Sequence, residues 1–160
     1  MFKPGLMKGQ RILITGGGTG LGKVMAEGCA LLGADVVIWG RRGAVIDAAA
    51  KELSEHSAKF GGGVVTGQAC DIRVPEAIHD AMDEVWAGGA PTGLVNNAAG
   101  NFISRTEDLS SRAFHAIADI VFHGTFQVTQ AVGKRWIKDG TGGSVVSIIV
   151  TWVRTGAPFV

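Results

Sequence analysis

Five of the nine residues from Thr15 to Lys23 are glycine, in the order Thr15-Gly16-Gly17-Gly18-Thr19-Gly20-Leu21-Gly22-Lys23. Such a stretch has almost no side-chain chemistry, so what it offers is backbone N–H groups that a ligand can reach. Gly16 permits a tight turn, Gly20 lets a ligand approach the backbone, and Gly22 allows close packing of the helix that follows. An apolar run precedes the loop and a helical pattern follows it. N–H groups at a helix start, aided by the helix dipole, are suited to a phosphate. The expected chemistry is the grip of Gly16, Gly17, Gly18, Thr19, Gly20, Leu21 and Gly22 on a dinucleotide pyrophosphate. The alternative is a plain glycine turn.

A second group lies at Trp39-Gly40-Arg41-Arg42, the end of the second apolar run. In a dinucleotide fold, a carboxylate there would bond a ribose 2′-hydroxyl, whereas a base pairs with a 2′-phosphate. No carboxylate lies at that end, because Asp35 opens the run. The planar fork of Arg41, with added charge from Arg42, predicts NADP(H) as cofactor. Simple solvation of both arginines is the alternative.

These groups need a scaffold, and the pattern supplies one. Strands are expected at Arg11–Thr15, Asp35–Trp39, Val64–Cys70, Gly93–Asn96 and Ser144–Val150. Helices are expected between them. The first spans Gly20–Leu32, with Leu21, Val24, Met25, Gly28, Leu31 and Leu32 on one face. The second spans Ala44–Ser57. A third starts at Pro75 with Ile78, Met82, Val85 and Trp86 inward, and a long one spans Ser110 to about Lys138 with Phe114, Ile117, Val121, Val128 and Val132 inward. Strands that are apolar on both faces and alternate with helices form a parallel sheet with right-handed crossovers. The fold class is α/β, a Rossmann-type doubly wound parallel sheet, incomplete at its C-terminal side.

The bulk numbers agree with a single packed unit. The chain has 160 residues, 46% of them hydrophobic and 18% charged, which is enough for one core. Net charge of +1 gives no reason to expect nucleic acid or an anionic membrane as partner. No apolar stretch is long enough to span a bilayer, and Met1-Phe2-Lys3-Pro4-Gly5 lacks the apolar stretch expected of a signal peptide. Cys29 and Cys70 form no CxxC pair, and the four histidines share no metal-ligand spacing, so no metal is expected. Two small buried thiols point to a reducing, cytoplasmic setting. Of the histidines, His123 interrupts the long helix near the expected cleft and is flagged. Trp39, Trp86 and Trp136 are expected as core or interface anchors.

The spacing of Thr15, Gly16, Gly20 and Gly22 resembles the short-chain dehydrogenase/reductase family. Asn96-Asn97-Ala98-Ala99-Gly100, after the fourth strand, is similar to that family's NNAG motif. The resemblance implies that Asn97 and Ala98 line the cofactor cleft and that Asp71 contacts the adenine. The stretch Asn96–Ser104, the glycine loop, Asp119-Ile120-Val121 and Gly124-Thr125-Phe126 are most similar to the 2,4-dienoyl-CoA reductases of that family. The implied reaction is hydride transfer from NADPH to a conjugated acyl-CoA in unsaturated fatty-acid β-oxidation. Asn101 would donate a hydrogen bond to the thioester oxygen as charge builds there. Phe102 and Ser110 match positions near the acyl-CoA, and Arg73 could meet its phosphates. Bland alternatives stand beside each: a loop bond for Asn101, packing or solvation for the others, a capping role for Asp71.

Three features depart from the family pattern. The usual serine after the fifth strand falls near Ile149, with Thr151 two residues on. The usual tyrosine of these reductases aligns with Trp152, whose indole N–H can donate a hydrogen bond but cannot act as an acid. The usual lysine has no counterpart before Val160. The chain is therefore expected to be the N-terminal part of a longer reductase, a single dinucleotide-binding domain over residues 1–160. In full length it would be a homotetramer assembled through the helix Ser110–Lys138. The alternatives are another short-chain reductase acting on a 3-oxoacyl or small carbonyl substrate, and a nucleotide-binding fragment without catalysis.

Overall fold

The computed structural model describes residues 2–150. Five strands, β1 (Arg11–Thr15), β2 (Asp35–Gly40), β3 (Val65–Ala69), β4 (Gly93–Asn96) and β5 (Ser144–Ser147), form one sheet in the order β3-β2-β1-β4-β5. Every pairing is parallel. The helices are α1 (Gly20–Leu31), α2 (Gly43–Ala58), α3 (Pro75–Ala87), α4 (Ser111–Ala118) and α5 (Thr125–Asp139). The Rossmann-type architecture expected from the alternation is what forms. β3 and β5 are shorter than their apolar runs, because pairing with β2 and β4 ends at Ala69 and Ser147.

Each face of the sheet has its own core. Leu13, Val37, Trp39 and Leu94 pack against Ile78, Met82, Val85, Val128, Val132 and Trp136 of α3 and α5. Ile12, Ile14, Val36 and Ile38 pack against Ala26, Ala30, Ile46 and Leu53 of α1 and α2. Trp136 is buried and its indole N–H donates to the Pro91 carbonyl at 2.7 Å, so its polar edge is satisfied in the core. The Arg11 fork donates to the Val85 and Gly88 carbonyls, closing the C-terminal end of α3.

Two expected helix faces are corrected. In α1 the buried residues are Gly22, Ala26 and Ala30, while Leu21 and Val24 are exposed. The small residues bring the helix axis close to the sheet, and the large ones turn outward. The long helix forms as one run, but Asp119–Gly124 in its middle is a π-turn joining α4 to α5. That turn resets the helical phase, so Phe114 and Val121 are exposed while Gly124, Val128, Val132 and Trp136 face inward. A Cβ on Gly124 would stand 2.7 Å from Ile72 Cδ1, which explains how the helix comes so near the end of β3. No helix among the described residues is long and apolar enough to cross a membrane.

Candidate dinucleotide site

From β1 the chain winds outward to β2 and β3, then crosses back to β4 and β5. The reversal lies between β1 and β4, and in doubly wound sheets a crevice opens there at the carboxyl ends of the strands. A cleft of about 310 Å³ occupies that place. Gly16, Gly18, Thr19, Leu21 and Gly22 of the glycine loop border it with Trp39, Gly40, Arg41, Arg42, Asp71, Asn97 and Ala98, joined by Val45, Ile46, Cys70, Ile72 and Ile120, whereas Gly20 is not on the lining and Gly17 backs onto Ile38 in the core.

The loop is built by its glycines. Gly16 turns out of β1 at φ +68°, a conformation costly for any residue with a side chain. Gly20 sits at φ +53° at the start of α1, with nothing within 4 Å of where a Cβ would be. Gly22 departs from expectation in one respect. It permits contact with the loop and β4 rather than with the sheet proper: a Cβ would overlap the Gly16 carbonyl and stand 2.5 Å from Asn97 Nδ2. No side chain caps α1 and no acidic residue lies in its first turn. Its leading N–H groups are thus left to an external acceptor.

The loop is held from behind. Thr15 Oγ1 is buried and accepts from the backbone N–H groups of Asn97 and Ala98, each at 3.0 Å. Asn97 Nδ2 donates to the Thr15 and Gly16 carbonyls at 3.0 and 3.3 Å. Asn96 is buried and donates to Thr129 Oγ1 at 2.9 Å, tying β4 to α5. Sequence reasoning assigned no task to Thr15. Its place as the last residue of a buried strand was the available signal.

The far end of the cleft is cationic. Arg41 and Arg42 are exposed on its rim. Trp39 is fully buried beneath them, its indole N–H donating to Gln68 Oε1 at 2.7 Å. Among the described residues, Asp71 is the one carboxylate on the lining. The Arg73 guanidinium beside it, with a smaller contribution from Arg41, holds its carboxyl below the usual carboxylate range. Burial, with the Asp71 charge nearby, pushes the Cys70 thiol up to about 12, so that sulfur is not a nucleophile near neutral pH. A cleft with open backbone amides at one end and two arginines at the other fits a phosphate-bearing dinucleotide.

The remaining sequence candidates are placed differently. Arg73 is turned onto Asp71 rather than standing free for a CoA phosphate. Asn101 and Phe102 are exposed, beyond Gly100, and Asn101 Oδ1 accepts from the Phe102 N–H at 2.8 Å. Among the described residues the Asn101 NH₂ group has no partner. Ser110 caps α4, its Oγ accepting from the Ala113 N–H at 3.2 Å. His123 pairs with Asp119 across the π-turn at 3.0 Å and points outward. Ile149 is exposed, and Thr151 and Trp152 lie outside the described residues.

Comparison with known proteins agrees with this geometry. The family description "short chain dehydrogenase" matches residues 10–159. A Caenorhabditis elegans protein described as a probable 2,4-dienoyl-CoA reductase producing (3E)-enoyl-CoA is 44% identical over 100% of this chain and 51% of its own length. A zebrafish (Danio rerio) peroxisomal 2,4-dienoyl-CoA reductase is 38% identical over 94% of this chain and 49% of its own. The chain thus spans about half the length of the curated relatives it matches. Among solved structures, a citronellol catabolism dehydrogenase of Pseudomonas aeruginosa PAO1 superposes with a TM-score of 0.87 at 34% identity, over 99% of this chain and 63% of that one. On the match of residues 10–159, the cleft at the sheet's switch point and these relatives, the chain belongs to the short-chain dehydrogenase family of oxidoreductases, whose cofactors are nicotinamide dinucleotides.

Proposed function

We infer that the chain carries the cofactor-binding part of an NADPH-dependent 2,4-dienoyl-CoA reductase. One observation carries the cofactor choice: Arg41 and Arg42 stand on the rim of the same cleft as the glycine loop, with no carboxylate at the end of β2. A 2′-phosphate is recognised well by such a guanidinium pair, and a free 2′-hydroxyl is not. Relatives named as 2,4-dienoyl-CoA reductases at 44% and 38% identity support the substrate class.

The residues divide the work as follows. The loop Gly16–Gly22 binds the pyrophosphate and fixes its register. Thr15 and Asn97 hold that loop rigid. Arg41 and Arg42 meet the 2′-phosphate, and Asp71 accepts from the adenine. When bound, the reduced nicotinamide supplies a hydride. The Asn101 amide, exposed past the Asn97-Ala98-Ala99-Gly100 turn, donates to the thioester oxygen of the acyl-CoA as negative charge develops there. Phe102 and Ser110 border the acyl chain. Trp152 remains a second candidate donor.

Separate titrations with NADPH and NADH test the cofactor assignment, and tighter NADH binding overturns it. Rates on a dienoyl-CoA against a 3-oxoacyl-CoA, measured on the protein with whatever chain follows Val160, test the substrate. A preference for the oxo substrate favours the second reading, a different short-chain reductase, which the 34% identity to the citronellol enzyme supports. Absence of turnover with either substrate, together with intact NADPH binding, favours a nucleotide-binding fragment.

The assembly belongs to the same proposal. Phe114, Phe122 and Phe126 are exposed along the outer side of α4 and α5, an apolar stripe that a second copy would cover. Light scattering of the full-length protein is expected to give a tetramer, and a monomer removes that part. The zebrafish relative is named peroxisomal. Cytoplasmic residence is our assignment here, checked by fractionation of cells expressing the protein.

A further inference from the structure

Asp71 and Arg73 are two residues apart on the turn between β3 and α3, and their contact is unusually complete. Arg73 Nε stands 2.9 Å from Asp71 Oδ1 and 3.1 Å from Oδ2. Its Nη2 donates to Oδ2 at 2.5 Å, and the Arg73 backbone N–H donates to Oδ1 at 3.1 Å. The backbone beneath is fixed too. Cys70 N–H donates to the Gly40 carbonyl and Val74 N–H to the Asp71 carbonyl, both at 3.0 Å. These bonds bias the carboxylate toward one orientation, and a bidentate guanidinium is well suited to doing so.

A carboxylate has about four acceptor sites. Nε carries a single hydrogen, and the shorter distance assigns it to Oδ1. Oδ1 is then filled by Nε and the backbone N–H. Oδ2 takes Nη2 and keeps one acceptor site. Asp71 borders the cleft, with Arg41 as the other charged group near it.

We propose that Arg73 is a positioning residue that presents the last acceptor site of Asp71 to the cleft, making the site selective for a 6-amino purine dinucleotide over its 6-oxo counterpart. The selection follows from hydrogen-bond polarity. An exocyclic amino group donates to Oδ2. A 6-oxo group would set its own lone pairs against the carboxylate, and sites built around one hydrogen-bond partner reject the mismatched analogue strongly. This inference rests on the reading of the cleft as a dinucleotide site. It also assigns Arg73 to the cofactor rather than to the substrate.

The test compares binding of NADPH and its hypoxanthine analogue by quenching of protein fluorescence, with no turnover needed. Wild-type protein is expected to favour NADPH by roughly tenfold or more, the value of one charge-assisted hydrogen bond. Arg73→Gln frees the carboxylate to rotate, so the ratio is expected to fall several-fold. Arg73→Lys keeps the charge but not the fork and is expected to fall between the two. Circular dichroism checks that each variant is folded, and Arg73→Lys serves if Arg73→Gln is not. If wild type binds both analogues and the ratio is the same in every folded variant, the proposal is overturned. If wild type binds neither, the reading of the cleft itself fails. Weakened acyl-CoA binding with an unchanged dinucleotide ratio returns Arg73 to the substrate and likewise overturns it.

Discussion

Asn97 Nδ2 donates to the carbonyl oxygens of both Thr15 and Gly16, at 3.0 and 3.3 Å, so the turn that leaves β1 is fastened to the end of β4. Those two strands are neighbours in the sheet and lie on either side of the point where the winding reverses. The phosphate loop is thus not a free glycine run. Its first residues are anchored across about eighty positions of sequence by a side chain and two backbone groups.

Thr15→Val tests that anchor. Valine has the shape of threonine but leaves the N–H groups of Asn97 and Ala98 without their acceptor. An orphaned buried donor costs about 1–3 kcal/mol. The melting temperature is expected to fall by roughly 2–4 °C for each kcal/mol lost. Dinucleotide affinity should drop with it, because the loop loses its fixed geometry. Calorimetry and a binding titration check the two effects together.

Gly22→Ala probes the same junction sterically. The added methyl would overlap the Gly16 carbonyl and stand 2.5 Å from Asn97 Nδ2, and neither group can retreat without breaking the anchor. A destabilisation of about 1–3 kcal/mol is expected from overpacking. Dinucleotide binding should be nearly lost. Gly28→Ala is the control, since nothing lies within 4 Å of its Cβ position, and a helix interior gains about 0.5–1 kcal/mol from alanine. Equal binding by both variants would refute the steric account.

The contrast between Gly22 and the apolar residues beside it shows what the sequence could and could not tell. Strand positions and the parallel sheet were legible, because Ile12, Leu13, Ile14 and Val36, Val37, Ile38 form unbroken apolar runs that need cover on both faces. The glycine loop was legible because its strand–turn–helix context is specific. The face of α1 was not, since periodicity weights Leu21 and Val24 above Gly22, Ala26 and Ala30, and close packing reverses that weighting. The interruption of the long helix at His123-Gly124 was legible, but its π-turn geometry over Asp119–Gly124 was not, for a related reason. It arises where Gly124 meets Ile72, a contact between residues far apart in sequence. The Arg73 grip on Asp71 was likewise hidden, because sequence gives spacing but not the direction of a long side chain.

Arg41→Ala is expected to weaken NADPH binding at least tenfold while leaving NADH binding within about twofold, as expected when one charge-assisted contact to a phosphate is removed. Arg42 follows Arg41 at the start of α2, so the double variant should lose more than either single one. Raising the salt concentration should shrink the NADPH preference, because both arginines are exposed and their fields are screened. A preference that is indifferent to salt and to Arg41 would place the selectivity elsewhere in the cleft.

The Asp71–Arg73 pair also makes a prediction about acid. The folded-state pKa of Asp71 is lowered, first by its hydrogen bond with Arg73 and then by the charges of Arg73 and Arg41. The unfolded state therefore binds this proton more readily than the folded one. Its contribution to stability is present above the ordinary carboxylate pKa of about 3.9 and disappears as pH falls through the lower folded value. The pair is partly open to water, which limits the effect to at most about 1 kcal/mol. Above pH 5 the protein should thus be more stable than Arg73→Gln by a small constant margin, and that margin should close as pH falls below the ordinary carboxylate pKa of about 3.9 and through the lower folded value. Urea titrations at a series of pH values measure it. A margin that widens toward acid would mean that the carboxylate is protonated in the folded protein, and the assigned role of Arg73 would fail with it.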